Sequence, residues 1–115
     1  MITTVLAAIV AALHVGFMVL ESILWTTPRG RKIFRLSEEK AALTKDLASN
    51  QGVYNLVLAL CIVWALLVGN AGALTMLLVF VVVVGIYGAA TVSPAILVVQ
   101  TLPAAAALVA QQLGL

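Results

Sequence analysis

Two ionisable side chains, His14 and Glu21, lie in the apolar N-terminal stretch and are the residues best suited to proton chemistry. Imidazole changes charge near neutral pH, and an ionisable group inside a membrane marks a functional site by default. On a helix the two residues share a face, but seven positions correspond to roughly 10.5 Å of rise, which excludes a direct hydrogen bond. A proton relay between them would require water or another helix.

Each of these residues has a structural and a functional interpretation. His14 is either a neutral side chain bonded to a neighbouring helix or a proton-linked group. Glu21 is either the ion-pair partner of Arg29 or Arg31, or a carboxylate that binds a proton or a ligand. The sequence leaves both alternatives open.

A second group of polar side chains follows the charged region at helical i, i+4 spacing. Asn50 pairs with Tyr54, and Gln51 pairs with Asn55, so that two polar rows lie on one side of a helix. These rows supply either hydrogen bonds between helices or the wall of a ligand pocket.

The charge pattern indicates which elements position these groups. All six Lys and Arg residues and all four Asp and Glu residues fall between Glu21 and Asp46, and no later residue is charged. The chain is 64% hydrophobic and 9% charged, against about 25% charged in a soluble domain. We therefore predict an integral membrane protein without a soluble catalytic domain, in which the basic residues contact lipid and not nucleic acid.

The predicted fold is all-α, a single domain forming an antiparallel four-helix bundle in the membrane with a short amphipathic loop helix. We expect the spans and the basic loop at about residues 2–25, 26–49 (the loop), 50–68, 73–90 and 95–113.

Local signals place the boundaries of these elements. Pro28 is accepted at the first position of a new helix, and Ser37 is a credible N-cap for a helix that runs toward the second span. The glycines Gly69 and Gly72 permit a tight reversal. Pro103 removes a backbone hydrogen bond and is expected to kink the fourth helix.

Because every Lys and Arg lies in the first loop, the positive-inside rule assigns that loop to the cytoplasm and both termini to the outside. The polar residues of the spans then collect in the cytoplasmic half, a pattern that predicts a polar cavity open to the cytoplasm. Its candidate ligand-binding or proton-linked residues are Glu21, His14, Asn50, Gln51, Tyr54, Asn55, Tyr87 and Gln100. Candidates for binding an anionic headgroup are Arg29, Arg31 and Lys32, the alternative being a purely topological role for these cations.

The chain contains one cysteine, Cys61, so an internal disulfide and a cysteine-cluster metal site are both excluded. No cofactor or metal is expected. The sequence also lacks a nucleophile–base pair, metal-ligand spacing and a phosphate-binding loop, which ranks an enzyme below a binding protein.

Two segments of the chain form specific motifs: Leu24-Trp25-Thr26-Thr27-Pro28-Arg29-Gly30-Arg31-Lys32-Ile33-Phe34 and Leu47-Ala48-Ser49-Asn50-Gln51-Gly52-Val53-Tyr54-Asn55. Both segments resemble the domain of unknown function 1304 family of small bacterial membrane proteins. His14 and Glu21 also stand where that family's His and Glu are expected. The resemblance implies a compact protein of the bacterial inner membrane and carries over no catalytic residue.

Three functions compete on this basis. The leading hypothesis is the binding or transport of a small amphiphilic molecule or lipid, with Glu21 and His14 as proton-linked groups. The second is an intramembrane enzyme that uses these two residues as acid and base on a lipophilic substrate. The third is an accessory subunit of a larger membrane complex, and a homo-oligomer is compatible with all three.

Overall fold

The structure, a computed structural model, describes residues 1–115 as helices joined by short turns, without a strand. Two π-helical segments interrupt the α-helices: the first continues the N-terminal helix, and the second leads into the last one. The prediction of an all-α fold is confirmed. The elements in order are α1 (Ile2–Met18), the first π segment (Val19–Ile23), α2 (Pro28–Phe34), α3 (Glu38–Leu67), α4 (Ala71–Thr91), the second π segment (Leu97–Thr101) and α5 (Leu102–Gln112).

Three helices are long and apolar enough to cross a membrane: Ile2–Ile23, Glu38–Leu67 and Ala71–Thr91. The shortest of them has 21 residues and rises about 31 Å, which matches a hydrocarbon core of about 30 Å. The last apolar helix, Leu97–Gln112, is shorter than these three.

The outer surface of α4 is as apolar as its buried side. Phe80, Val83 and Ile86 are each more than half exposed. A helix that is apolar all round suits hydrocarbon, whereas in water such a face would require a partner. The buried side follows helical spacing and consists of Leu74, Leu78, Val81 and Gly85.

The chain forms two compact units. The central unit, His14–Leu58, contains the end of α1, the first π segment, α2 and the first part of α3. The terminal unit consists of Met1–Leu13 and Ala59–Leu115, and it includes α4, the second π segment and α5.

In the central unit a tight connection joins the first π segment to α2. The Thr27 hydroxyl donates to Leu24 O (2.6 Å) and accepts the Gly30 N–H (3.2 Å), so Thr27 caps α2. Pro28 occupies the first turn of α2, as predicted. A Cβ on Gly30 would lie 1.8 Å from Leu24 O, so only glycine permits this close approach.

A reversal of two residues follows α2. Arg35 adopts the left-handed conformation (φ 54°), and the Leu36 N–H donates to Arg31 O (2.9 Å), the pattern of a Schellman cap. Ser37 then caps α3 by accepting the Lys40 N–H (3.1 Å), so its predicted capping role is confirmed.

Helix α3 begins at Glu38, twelve residues before the predicted start of the second span, because a capped helix continues without a breaker. Its 30 residues rise about 45 Å, so the charged first turns extend beyond a core of about 30 Å. Within the central unit its buried side carries small residues and one amide: Ala41, Ala48, Gly52 and Asn55.

In the terminal unit Gly69 (φ +66°) makes the reversal, and Asn70 Oδ1 caps α4 by accepting the Ala73 N–H (3.0 Å). Helix α4 therefore begins at Ala71, so Gly72 lies inside the helix and not in the turn, in contrast to the prediction. The helix ends at Thr91, one residue after the end expected for the third span.

Helix α4 packs antiparallel against the last helical segment. At one end Gln111 donates to Ala71 O (3.0 Å) and accepts the Thr75 hydroxyl (2.9 Å). At the other end a Cβ on Gly85 would lie 2.2 Å from Thr101 Oγ1. These contacts therefore place residues 101–111 alongside residues 71–85 of α4.

Pro103 stands in the first turn of α5, directly after the second π segment. Because proline lacks an N–H and its ring clashes with the carbonyl four residues earlier, the preceding turn widens. The Leu102 N–H accordingly reaches Leu97 O, five residues back. The helix is thus widened at the position where a kink was predicted.

The chain ends meet in the terminal unit. The N-terminal amino group donates to Leu115 O (3.1 Å), and the Thr3 N–H reaches the same oxygen (3.5 Å). Residues 1 and 115 therefore lie at one end of this unit.

Candidate functional site

Glu21 lies in the middle of the first π segment and is partly buried. The side-chain amide of Asn55 on α3 donates to Glu21 Oε1. This hydrogen bond joins an acid to an amide, so the partner that the structure gives Glu21 is not the arginine of the ion-pair alternative. Widened turns of this kind occur often at functional sites.

The four polar residues of α3 do not converge on Glu21. Asn55 is 8% exposed and faces the first π segment, whereas Tyr54 is 66% exposed. Asn50 and Gln51 are exposed as well. The predicted pair of polar rows therefore contributes one side chain, Asn55, to the contact with Glu21.

His14 is fully buried. Its ring stacks edge-on against Phe17 one turn later, with 5.0 Å between ring centroids and 69° between ring planes. An aromatic edge-to-face contact of this type stabilises the packing of the imidazole ring.

The remaining predicted residues of the spans, Tyr87 and Gln100, belong to the terminal unit. Tyr87 is exposed on α4, where its amphipathic ring suits a membrane–water interface. Gln100 is partly buried in the second π segment.

Ser22, a residue that sequence reasoning did not single out, holds the π segment on α3. Its hydroxyl donates to Ser49 O (2.9 Å). A Cβ on Gly52 would lie 1.9 Å from Ser22 Oγ, so the glycine makes room for the serine. A glycine inside a membrane helix is the sequence signal that could have revealed this contact.

Trp25 anchors the end of the first helix. Its indole N–H donates to Thr44 Oγ1 on α3 (3.0 Å), and its ring packs on Phe34 of α2 with 4.6 Å between centroids. Thr44 in turn donates to Lys40 O (2.8 Å). Trp25 therefore connects the end of the first helix with both α2 and α3 in the central unit.

The three predicted headgroup-binding cations lie on α2. Arg29 and Lys32 are exposed, whereas Arg31 is partly buried. The Arg31 Nε atom is fully enclosed and makes no hydrogen bond. These side chains therefore differ in how easily a ligand could reach them.

A shallow apolar groove runs along α5. None of the predicted site residues lines it. It is formed by Leu102, Ala105, Ala106, Val109, Ala110, Leu113 and Leu115.

No group of three or more His, Cys, Asp or Glu side chains is arranged to hold a metal ion. Cys61 is a free thiol on the terminal unit.

Taken together, these features define an all-α protein with three helices long and apolar enough to cross a membrane and a Glu–Asn contact within one of its units. The chain belongs to the family described as protein of unknown function (DUF1304), whose family model matches residues 8–111. No curated protein matches the chain. No solved structure matches it either.

Proposed function

We propose that the chain is a multi-pass protein of the cell membrane in which Leu97–Gln112 is a fourth span. The contacts of Gln111 with Ala71 and Thr75 support this, because they bring the end of α5 level with the start of α4. The contact of Thr101 with Gly85 supports the same pairing farther along α4. A segment that runs antiparallel beside most of a spanning helix lies in the same hydrocarbon layer.

The meeting of the chain ends supports an even number of crossings. Met1 and Leu115 lie together, so a chain that enters at one face returns to that face. With the basic loop on the cytoplasmic side by the positive-inside rule, both termini lie outside. The proposal also includes the packing of the four spans as an antiparallel bundle.

Within that topology, Glu21 and Asn55 form a proton-linked site that binds or transports a small amphiphilic molecule or a lipid. The single observation that supports this function is the hydrogen bond from the Asn55 amide to the Glu21 carboxylate inside the first candidate span. Glu21 lies two residues before the end of that span, and ionisable groups within membrane segments are characteristic of substrate and proton pathways.

The chemistry of the amide suits a carboxyl group that changes protonation. An asparagine side chain offers an NH₂ donor to a carboxylate and a carbonyl acceptor to a protonated carboxyl. Asn55 can therefore hold Glu21 in either state after a rotation of its amide. An arginine partner would instead fix the charged form, because guanidinium remains protonated.

The proposed site accepts the polar group of a ligand whose apolar part stays among the helices. Glu21 is only partly buried, which leaves the carboxyl group accessible from one side. When ionised, it favours a cationic head over an anionic one. A cationic ligand and a proton then compete for one carboxylate, so ligand binding releases a proton. No cofactor has a role in this scheme.

The test uses two probes of matched shape and opposite charge, tetraphenylphosphonium and tetraphenylborate. The protein is placed in phosphatidylcholine nanodiscs, and binding is measured by titration calorimetry in buffers of different ionisation enthalpy, which reports proton release. We expect the wild type to bind the cation with release of a proton and Glu21→Gln to release none.

Glu38→Gln is the matched control, because Glu38 is an exposed acid at the start of α3. This variant should behave as the wild type. Equal heats for both probes, in the wild type and in Glu21→Gln alike, would remove the proposed site.

A further inference from the structure

The segment from Pro28 to Arg35 carries four cations and no acid. Three of these cations, Arg29, Lys32 and Arg35, are exposed. We call these three residues the basic face of α2. Their charges lie within seven residues of one another, so a negatively charged surface can meet all three at the same time.

Apolar side chains accompany the basic face. Ile33 is 53% exposed, and Phe34 is exposed while one side of its ring packs on Trp25. Exposed aliphatic and aromatic groups next to cations are typical of helices that lie at the boundary between headgroups and acyl chains. Water alone would not favour the exposure of Ile33.

The short distance along the chain between α2 and the first candidate span agrees with a location at the boundary between headgroups and acyl chains. The first candidate span ends at Ile23, and α2 begins at Pro28. The Thr27 cap and the contact between Gly30 and Leu24 O hold the short helix directly against the end of that span. The cations are therefore held close to the membrane surface without further ordering.

Arg35 has a backbone conformation that is usually occupied by glycine. It adopts φ 54° at the end of α2, a conformation that glycine reaches without steric cost and for which glycine is the usual choice. The chain has an arginine there, although arginine fits this backbone conformation less well than glycine. Its side chain supplies a third exposed charge, and this charge is the property that glycine would lack.

We propose that the basic face of α2 binds the phosphate groups of anionic phospholipids in the leaflet that contacts the first loop, with Ile33 and Phe34 inserted beside them. Arg29, Lys32 and Arg35 donate to phosphate oxygens, and guanidinium groups do so through paired N–H donors. The inference is independent of the function proposed for Glu21. It adds Arg35 to the predicted candidates Arg29 and Lys32 and leaves out Arg31, whose Nε atom is enclosed.

The experiment measures which lipid lies next to Trp25, because this indole contacts Phe34 of α2. Trp64, the other tryptophan, is replaced by Phe so that Trp25 is the only source of tryptophan fluorescence. The protein is reconstituted in phosphatidylcholine bilayers that contain either brominated phosphatidylglycerol or brominated phosphatidylcholine. The ratio of the two quenching curves gives the relative affinity of the site for the anionic lipid.

We expect phosphatidylglycerol to quench at lower mole fraction than phosphatidylcholine in the Trp64→Phe protein. Removing one cation by Arg29→Gln or Lys32→Gln should lower the relative affinity about fivefold, the effect of one Lys or Arg near a charged membrane. Lys45→Gln, which removes an exposed charge from α3, is the matched control and should leave the ratio unchanged.

Arg35→Gly separates binding from folding. Glycine suits the left-handed conformation, so the unfolding temperature should stay the same or rise while the relative affinity falls about fivefold. A variant that binds phosphatidylglycerol as tightly as its parent would overturn the role of Arg35.

The effect of inorganic phosphate identifies the source of the bound phosphate group. If inorganic phosphate at constant ionic strength leaves the quenching unchanged, the source of the phosphate is lipid, as proposed. If inorganic phosphate displaces phosphatidylglycerol, or if both brominated lipids quench equally, or if Lys45→Gln matches Lys32→Gln, the proposal is wrong.

Discussion

The side-chain amide of Asn55 donates a hydrogen bond to the carboxylate of Glu21, joining α3 to the π segment that ends the first helix. One turn earlier on α3, Gly52 lies against Ser22, and Ser22 donates to Ser49 O. These contacts are consecutive along the two helices, so together they fix the alignment of the first helix with α3 in the central unit. Variants of these residues can therefore separate packing from chemistry.

Replacing Asn55 with Leu should destabilise the protein, because Glu21 would keep its desolvation cost without its partner. The expected loss is about 1–3 kcal/mol in free energy of unfolding, measured by thermal denaturation in mild detergent with helicity as the readout. Gln51→Leu, four residues earlier and exposed, is the control and should change stability little. Equal losses in the two variants would argue against a structural role for the Glu21–Asn55 bond.

Gly52→Ala should destabilise the central unit, because the new methyl group would overlap with Ser22 Oγ at 1.9 Å and approach Ser22 N at 3.0 Å. Overpacking of this kind costs about 1–3 kcal/mol. Ser22→Ala in the same chain should recover part of the loss, since the backbone nitrogen of Ser22 remains close.

The matched control for Gly52 is Gly16→Ala. Gly16 lies in α1 with no atom within 4 Å of an added Cβ, so the variant should be neutral or more stable by about 0.5–1 kcal/mol. Both variants are compared by the same denaturation curves. If Gly52→Ala left the stability unchanged, this result would contradict the close approach of α3 to the first π segment.

The bond between Trp25 and Thr44 should show coupling in a double-mutant cycle. Trp25→Phe and Thr44→Val each remove the indole–hydroxyl hydrogen bond, worth about 0.5–1.5 kcal/mol, and the double variant should lose less than the sum. The free energy of unfolding of all four proteins is measured in detergent. Strict additivity would mean that the bond contributes nothing to stability.

Two threonines of the terminal unit should respond in opposite ways to valine. Thr101 Oγ1 is buried without a hydrogen-bond partner, so Thr101→Val should leave stability unchanged or raise it by about 1 kcal/mol. Thr75 donates to Gln111, so Thr75→Val should lower stability by a similar amount. A large loss from Thr101→Val would indicate that its hydroxyl has a bonding partner such as water.

The proposed four-span topology predicts which positions react with a membrane-impermeant thiol reagent. In a Cys61→Ala background, Asn70→Cys should be labelled from outside intact cells, whereas Lys32→Cys and Ser93→Cys should be labelled only after the membrane is opened. If Ser93→Cys were labelled from outside while Asn70→Cys was protected, α4 would cross the membrane in the direction opposite to the one proposed.

A structural feature of this protein can be predicted from the sequence when residues close to one another in the chain determine it. Ser37 and Pro28 were assigned correctly as helix-start residues, because capping depends on neighbours within four positions. The uncharged chain after Asp46 likewise indicates apolar helices through composition alone. Gly72 was misplaced, because Asn70 caps α4 and begins the helix sooner than the second glycine suggests.

The candidate site could be predicted only in part. Polar residues in apolar helices are visible in a sequence, and Glu21 and Asn55 were both selected on that ground. Their pairing was not predicted, because it depends on the alignment of two helices that is set by Gly52 and Ser22. The spacing of polar residues on α3 does not by itself distinguish Tyr54 from Asn55 as the partner of Glu21.

The sequence by itself determined that the chain is helical and apolar, where its charges lie, and which residues could begin a helix, because these properties belong to single residues and their immediate neighbours. The tertiary structure alone decided that Asn55 contacts Glu21 while Tyr54 is exposed, and that α5 pairs with α4 over a common height. Such contacts depend on close packing between helices far apart in the chain, which a glycine permits and a single added methyl group would prevent.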